Sequence, residues 1–179
     1  MRRGAILAAA LLLAACGSSP ERPGGYYLDD GPGARTPDLA AIPDAVPRHE
    51  PLHRWANRPY LRFGKRYVPL TRIGAFQQRG VATWYGRRFH GKPTSSGEIY
   101  DMYKMTAAHP ILPIPSYARV TNLANGRTVV VRVNDRGPFH KERVIDLSYA
   151  AAHKLGYVAQ GSARVLVEQL APSGDLASR

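Results

Sequence analysis

The sequence predicts a mainly β protein whose strands close a small barrel, with one or two short helices and an extended tether in front. Three observations predict it. Short alternating strands recur after residue 80, an Asn125-Gly126 pair joins two of them, and Tyr149 to Leu155 carries the start and stop signals of a short helix. The chain has 179 residues, enough for one ordinary domain, and its 44% of apolar residues is the level of a globular protein. A single Cys excludes an intrachain disulfide and any multi-thiolate metal site.

Residues 1–15 read as an export leader. Arg2 and Arg3 precede the apolar run Ala5 to Leu13, and small residues follow. The run from Ala5 to Ala15 is shorter than the roughly 20 residues that a spanning helix needs. It ends in Leu13-Ala14-Ala15-Cys16, which resembles the lipobox of bacterial lipoproteins. That resemblance implies lipidation (palmitate among the acyl chains) at Cys16 and anchoring at a membrane, each buried methylene contributing ~0.8 kcal/mol. Gly17 in place of Asp implies the outer membrane, facing the periplasm, by analogy with sorting in enteric bacteria.

Residues 16–59 follow as a Pro/Gly-rich tether without helical or strand period, so an extended, mostly disordered segment is expected. Within it, Leu52 and Trp55, with Tyr60 just beyond, are the side chains able to dock on a domain. Residues 60–79 form a basic lead-in. The stretch 51–80 holds Arg54, Arg58, Arg62, Lys65, Arg66, Arg72 and Arg79 and no acid. Its charge is either a solvated collar or a surface for an anionic polymer or membrane. The formal net charge is +12, but nucleic acid is excluded as a partner by the export leader. Lys65 to Leu70 reads as a short strand.

Residues 80–170 form the barrel, and 171–179 a tail. Val81 to Tyr85 alternates as a strand, and Tyr117 to Leu123 and Arg127 to Val133 pair through the Asn125-Gly126 turn. Val129, Val131 and Val133 share one face and Arg132 takes the other. Ile145 to Leu147 is a further strand, Ser148 caps the helix Tyr149 to Leu155, Gly156 ends it, and Ala163 to Leu170 is the last strand.

Three loops carry titratable groups beside Gly, Ser or Pro: Thr94 to Asp101 with Glu98 and Asp101, Thr106 to Pro110 with His109, and Asn134 to Phe139 with Asp135. Each group alone has a structural reading, as a turn ion pair, a strand cap or a solvated charge. Asp146 reads as a turn or cap residue. Zinc ligand spacing, a Ser/His/Asp order and a phosphate-cradling glycine loop are missing. The chemistry that needs only carboxylates and a His is glycosidic bond cleavage.

Gly80-Val81-Ala82-Thr83-Trp84-Tyr85-Gly86, Phe89-His90-Gly91, Thr94-Ser95-Ser96-Gly97-Glu98, Tyr100-Asp101, Thr106-Ala107-Ala108-His109, Asn134-Asp135-Arg136-Gly137-Pro138-Phe139 and Ile145-Asp146-Leu147-Ser148 closely resemble the rare lipoprotein A family. The resemblance spans about residues 65–170. It implies a six-stranded double-psi β-barrel and a septal-ring lytic transglycosylase. Such an enzyme acts on peptidoglycan glycan strands, cleaving the MurNAc-β-1,4-GlcNAc bond and leaving 1,6-anhydroMurNAc ends. It implies Asp135, Glu98, Asp101 and His109 as catalytic residues, no metal and no cofactor, and divisome proteins as partners. Substrate contacts are expected from Trp84, Tyr85, Phe89, Ser96, Asn134 and Arg136, with the first three as a sugar-stacking platform of which at least one belongs to the core. Many members add a C-terminal sporulation-related repeat, which is not expected here. A general acid needs a raised pKa, which a proton shared between Asp135 and Glu98 or Asp101 would supply; Arg136 is then expected to turn away, toward glycan or another carboxylate. The alternatives are an expansin-like lipoprotein that binds glycan without cutting it and an inverting hydrolase.

Overall fold

The computed structural model describes residues 30–32 and 36–172. The leader 1–15, Cys16 and most of the tail 171–179 lie outside the described residues.

Among the described residues eight strands and one helix follow in order: β1 (Tyr60–Arg62), β2 (Lys65–Tyr67), β3 (Gln77–Tyr85), β4 (Thr106–Ala108), β5 (Ser116–Asn122), β6 (Thr128–Asp135), β7 (Arg143–Ser148), α1 (Tyr149–Leu155) and β8 (Ser162–Leu170). The last six strands close a barrel in the order β3-β7-β4-β6-β5-β8, the closed barrel expected from the strand pattern with the six strands that the family resemblance implies. β3 runs parallel to β7 and β4 parallel to β6, while the other pairs are antiparallel.

The valine alternation drives the packing. Val129, Val131 and Val133 of β6 are at most 1% exposed and meet Val120, Ile145, Leu147, Val165 and Val167 in one core. The β5–β6 turn keeps Gly126 at φ +72°, which a residue with a Cβ resists. Ser148 caps α1 by accepting from Ala151 N at 3.2 Å, and Gly156 ends it in the left-handed region.

Several boundaries differ from the sequence expectation. β2 ends at Tyr67 rather than Leu70, because Pro69 has no N–H to continue a ladder. It pairs with β1 through Phe63 and Gly64, both at positive φ, as a tight two-residue hairpin turn requires. β6 runs on through Asn134 and Asp135, because parallel β4 pairs with its end.

Residues 36–59 contain no helix or strand, as expected, yet they lie on the barrel instead of hanging free of it. The reason is the length of β4. With three residues it covers only the far end of β6, and the backbone of Val130 on the same edge needs other partners. Ala45 N donates to Val130 O at 3.0 Å, and Val130 N donates to the Asp44 carboxylate at 2.9 Å. Lys154 holds Asp44 from α1. His53 N bonds Ile114 O, Ala56 is buried, and Tyr60 donates to Pro110 O. Leu52 and Trp55 stay 38% and 57% exposed, so polar backbone contacts, not those apolar side chains, fix the segment. Glu50 accepts from Arg132 at 2.8 and 2.9 Å and from the Tyr117 hydroxyl at 2.5 Å.

Two outcomes follow for folding. The Arg132 hydrogen bond, opposed by burial and helped by Tyr117, holds the Glu50 carboxyl down at about 2, against 4.5 for a free one. A lowered folded-state pKa contributes stability above pH 4.5 that is lost as pH falls toward 2. Acid denaturation of Glu50→Gln is therefore expected to show a shallower pH dependence across that window. Ser148→Ala is expected to lower stability by about 1 kcal/mol in urea unfolding, because the Ala151 N–H loses its cap in a buried site.

Candidate active site

The backbone places two carboxylates on either side of β4. A register shift between Ala107 and Ala108 sets Ala108 opposite Asp135 on β6, and the antiparallel pairing sets the same Ala108 opposite Asp146 on β7. Two strand spacings separate these backbones by about 10 Å. Both carboxylates line one cavity of about 330 Å³, with Tyr85, Phe89, Phe139 and Arg62 among its walls. The methyl of Ala108 leaves room between them.

Asp135 is half-buried. Its Oδ1 accepts from Ser95 N at 2.8 Å and Arg136 N at 2.7 Å. Burial raises its pKa, and those two N–H groups and the Arg136 charge only partly reverse the rise. The rise comes from desolvation rather than from a proton shared with Glu98 or Asp101. Arg136 turns away, as expected, but toward neither glycan nor carboxylate. Its guanidinium donates to His109 O (3.0 Å), Leu112 O (2.6 Å), Ala56 O (3.0 Å) and Asn57 Oδ1 (2.9 Å). Burial pushes this guanidinium down to about 10. Arg136 thus ties the loop after β4 to the end of the tether at Ala56 and Asn57.

His109 is fully buried and does not line the cavity. Its Nδ1 accepts from Ile111 N (3.2 Å) and Leu112 N (2.9 Å), so the ring proton sits on Nε2, 3.2 Å from Gln78 Oε1. Burial first, then the Arg136 charge, pushes its pKa down to about 3, and the ring is neutral at pH 7. Of the roles open to His109 in the sequence, charge stabilisation on a sugar is removed. Its backbone N–H still donates to Asp135 O at 3.0 Å, so it holds the strand end that bears the acid.

Glu98 and Asp101 open onto a second, larger cavity of about 850 Å³, which Asn134 also lines. Adjacent residues at the end of β6 therefore face different cavities. The loop between the cavities is closed by a Pro93–Ile99 bridge, a Thr94–Ser96 hydroxyl contact at 3.0 Å and Gly97 at φ +80°. This is the place of Ser96, which ties the loop. Glu98 accepts twice from Arg132 (2.9 and 2.8 Å) and once from Asn134 (3.0 Å). Burial pushes its pKa up, but the Asn134 and Arg132 hydrogen bonds outweigh it, and the net direction is down. Asp101 accepts from Tyr103 N at 3.0 Å and caps a turn.

All three rings of the expected platform line the cavity, and two of them belong to the core as well. Trp84 is 1% exposed and donates to Val158 O, and Tyr85 is 8% exposed and stacked on Tyr100 with ring centroids 4.2 Å apart. Only Phe89 is half-buried, against the edge of Tyr85. These rings are inside because β3 is covered by α1 and by the loop around Tyr100. The ring that meets solvent at the cavity is Phe63, 78% exposed, on the hairpin of β1 and β2. The sequence offered one signal for it, the Phe-Gly turn between basic residues. Asp146, read as structural, is indeed bonded to Thr83 Oγ1 (2.5 Å) and Arg143, yet it also lines the cavity. Among the described residues no three His, Cys, Asp or Glu side chains cluster as a metal set.

Residues 77–167 match the family described as lytic transglycolase. A protein of Neisseria meningitidis serogroup A named endolytic peptidoglycan transglycosylase RlpA is 61% identical over 74% of this chain and 55% of its own. The protein of that name from Pseudomonas aeruginosa is 50% identical over 92% of this chain and 51% of its own. The chain thus spans about half the length of these curated relatives. Among solved structures, a Streptomyces papain inhibitor shares 23% identity at a TM-score of 0.44, covering 53% of this chain and 94% of its own. With the family match across the barrel, from β3 into β8, the chain belongs to the rare lipoprotein A family of lytic transglycolase barrels.

Proposed function

We propose that the protein is an endolytic peptidoglycan transglycosylase that cleaves the MurNAc-β-1,4-GlcNAc bond and leaves 1,6-anhydroMurNAc ends. The observation that carries this reading is the opposite tuning of two carboxyls near the end of β6: Asp135 is pushed up by burial, and Glu98 is pulled down by Arg132 and Asn134. Burial thus favours the protonated form of Asp135, the state a general acid needs, while Glu98 on the second cavity is favoured as the carboxylate.

The steps balance with Asp135 alone moving protons. Its carboxyl gives a proton to the glycosidic oxygen as the C1–O bond breaks, and GlcNAc leaves with a free 4-hydroxyl. The C6 hydroxyl of MurNAc then bonds to C1, and its proton returns to Asp135. No water is consumed. Asp146, bonded to Arg143, is the second carboxyl in the same cavity and faces the oxocarbenium-like centre, while Glu98 stays on the other cavity with Arg132. His109 and Arg136 are positioning residues for the strand end. Peptidoglycan strands are the partner in this reading.

The same reading sets the chain in the cell envelope, lipid-anchored through Cys16 to the outer membrane with its barrel in the periplasm, and in reach of divisome proteins. The order of Arg2-Arg3, the apolar run and Cys16-Gly17 supports it.

Digestion of purified sacculi with mass spectrometry of the products tests the chemistry: anhydro ends are expected, whereas reducing ends mean hydrolysis and bound, uncut glycan means an expansin-like module. Asp135→Asn is expected to lower the rate of anhydro-end formation by at least about 100-fold, since the acid is lost while the fold is kept. The wild-type rate is expected to fall as pH rises through the raised Asp135 pKa, because the acid must enter each cycle protonated. His109→Ala is expected to lower both melting temperature and kcat while leaving the position of that pH limb unchanged, because neutral His109 contributes no titration there.

A further inference from the structure

The cavity wall facing Asp135 is not made by the barrel alone. β1 and β2 lie outside residues 77–167, yet Arg62 and Phe63 line the same cavity as Asp135. The hairpin is anchored by aromatic packing: Tyr60 stacks on Tyr67 with centroids 5.1 Å apart, and Phe139 meets Tyr60, Tyr67 and Phe63 edge-on at 5.5 to 6.1 Å. Phe139 is three residues beyond Arg136, so one ring cluster couples the hairpin to the loop after Asp135.

At the tip the chemistry changes. Phe63 stays 78% exposed although it lines a cavity, and its backbone sits at φ +47°, an unfavourable region for a residue with a Cβ. A turn alone favours Gly or Asn there. The Arg62 guanidinium lies 4.7 Å from the Phe63 ring centroid and 5.8 Å from that of Phe139. Among the described residues Arg62 has no carboxylate partner. An exposed ring braced by a cation, continuous with a cavity that holds a catalytic carboxyl, offers what a pyranose needs: a flat apolar face for its C–H surface and N–H donors for its hydroxyls.

We propose that Phe63 and Arg62 form a sugar-stacking subsite that holds one ring of the β-1,4-linked amino-sugar strand beside Asp135, with the β1–β2 hairpin as the second wall of the cleft. This rests on the transglycosylase reading and deepens it. Leu61, 74% exposed on the same hairpin and absent from the cavity wall, is outside the subsite.

The test uses the full chain on purified glycan strands, with initial rates of anhydro-end formation and cosedimentation with sacculi. Phe63→Ala is expected to raise KM about tenfold with kcat within about twofold, as lost stacking predicts, and Phe63→Trp to restore it. Arg62→Ala is expected to raise KM in the same direction, and Leu61→Ala to leave it unchanged. In an Asp135→Asn background, which binds without cutting, Phe63→Ala is expected to lower the sedimented fraction. Equal KM and equal sedimentation for Phe63→Ala and wild type would overturn the subsite while wild-type cleavage left the enzymatic reading intact. Wild type that sediments but yields no anhydro ends would overturn that reading, and the sedimentation arm would still report on Phe63. A change equal in Leu61→Ala and Phe63→Ala would also overturn the subsite, since it would mean general loss of the hairpin.

Discussion

The three-residue strand β4 is the constraint on which the site depends. Its shortness and its register shift do two separate things. The shift puts Ala108, with nothing larger than a methyl, between the backbones that carry Asp135 and Asp146. The shortness leaves the edge of β6 at Val130 unpaired, and residues 44 and 45 fill it. Once that segment is laid down, Glu50 reaches Arg132, Arg132 reaches Glu98, and Ala56 and Asn57 accept from Arg136. Backbone groups left unpaired there would be costly, and the tether satisfies them by lying on the barrel.

The two carboxyls near the end of β6 then acquire opposite characters without any direct contact between them. Glu98 accepts three hydrogen bonds, two of them from Nη1 of a guanidinium that is itself fixed by Glu50. Asp135 is given two backbone N–H groups and less water, and the guanidinium next to it in sequence is engaged elsewhere. The division of labour is therefore set by where two arginines point. Arg132 points at a carboxylate, and Arg136 points at carbonyl oxygens.

Local elements were legible in the sequence. The Asn-Gly turn, the Ser148 cap, the Gly156 stop and the valine alternation of β6 all act through neighbours a few residues away, and all are found where expected. Boundaries were less legible where a distant partner decides them: β6 extends to Asp135 because β4 pairs with it, and β2 has a mate in β1 that its own residues do not announce. The site was half legible. Asp135 and Glu98 flank one loop, but Asp101 caps a turn on the larger cavity, Trp84 belongs to the core, and His109 is sealed under the loop it ties. A Trp or His in a motif looks the same to sequence reasoning whether it faces a ligand or a core.

By itself the sequence determined the strand alternation, the turn and cap chemistry, the order of the titratable residues and the family motifs. Each is a property of residue type and short spacing, where sterics and hydrogen bonding act along the chain. Only the tertiary structure decided which carboxyl is pushed toward its protonated form, which aromatic ring meets solvent and whether the tether lies on the barrel. Those depend on desolvation and on partners brought in from 30 to 90 positions away, as Glu98 to Arg132 and Val130 to Asp44 are. Burial is a property of the closed barrel, and no segment of the chain carries it alone.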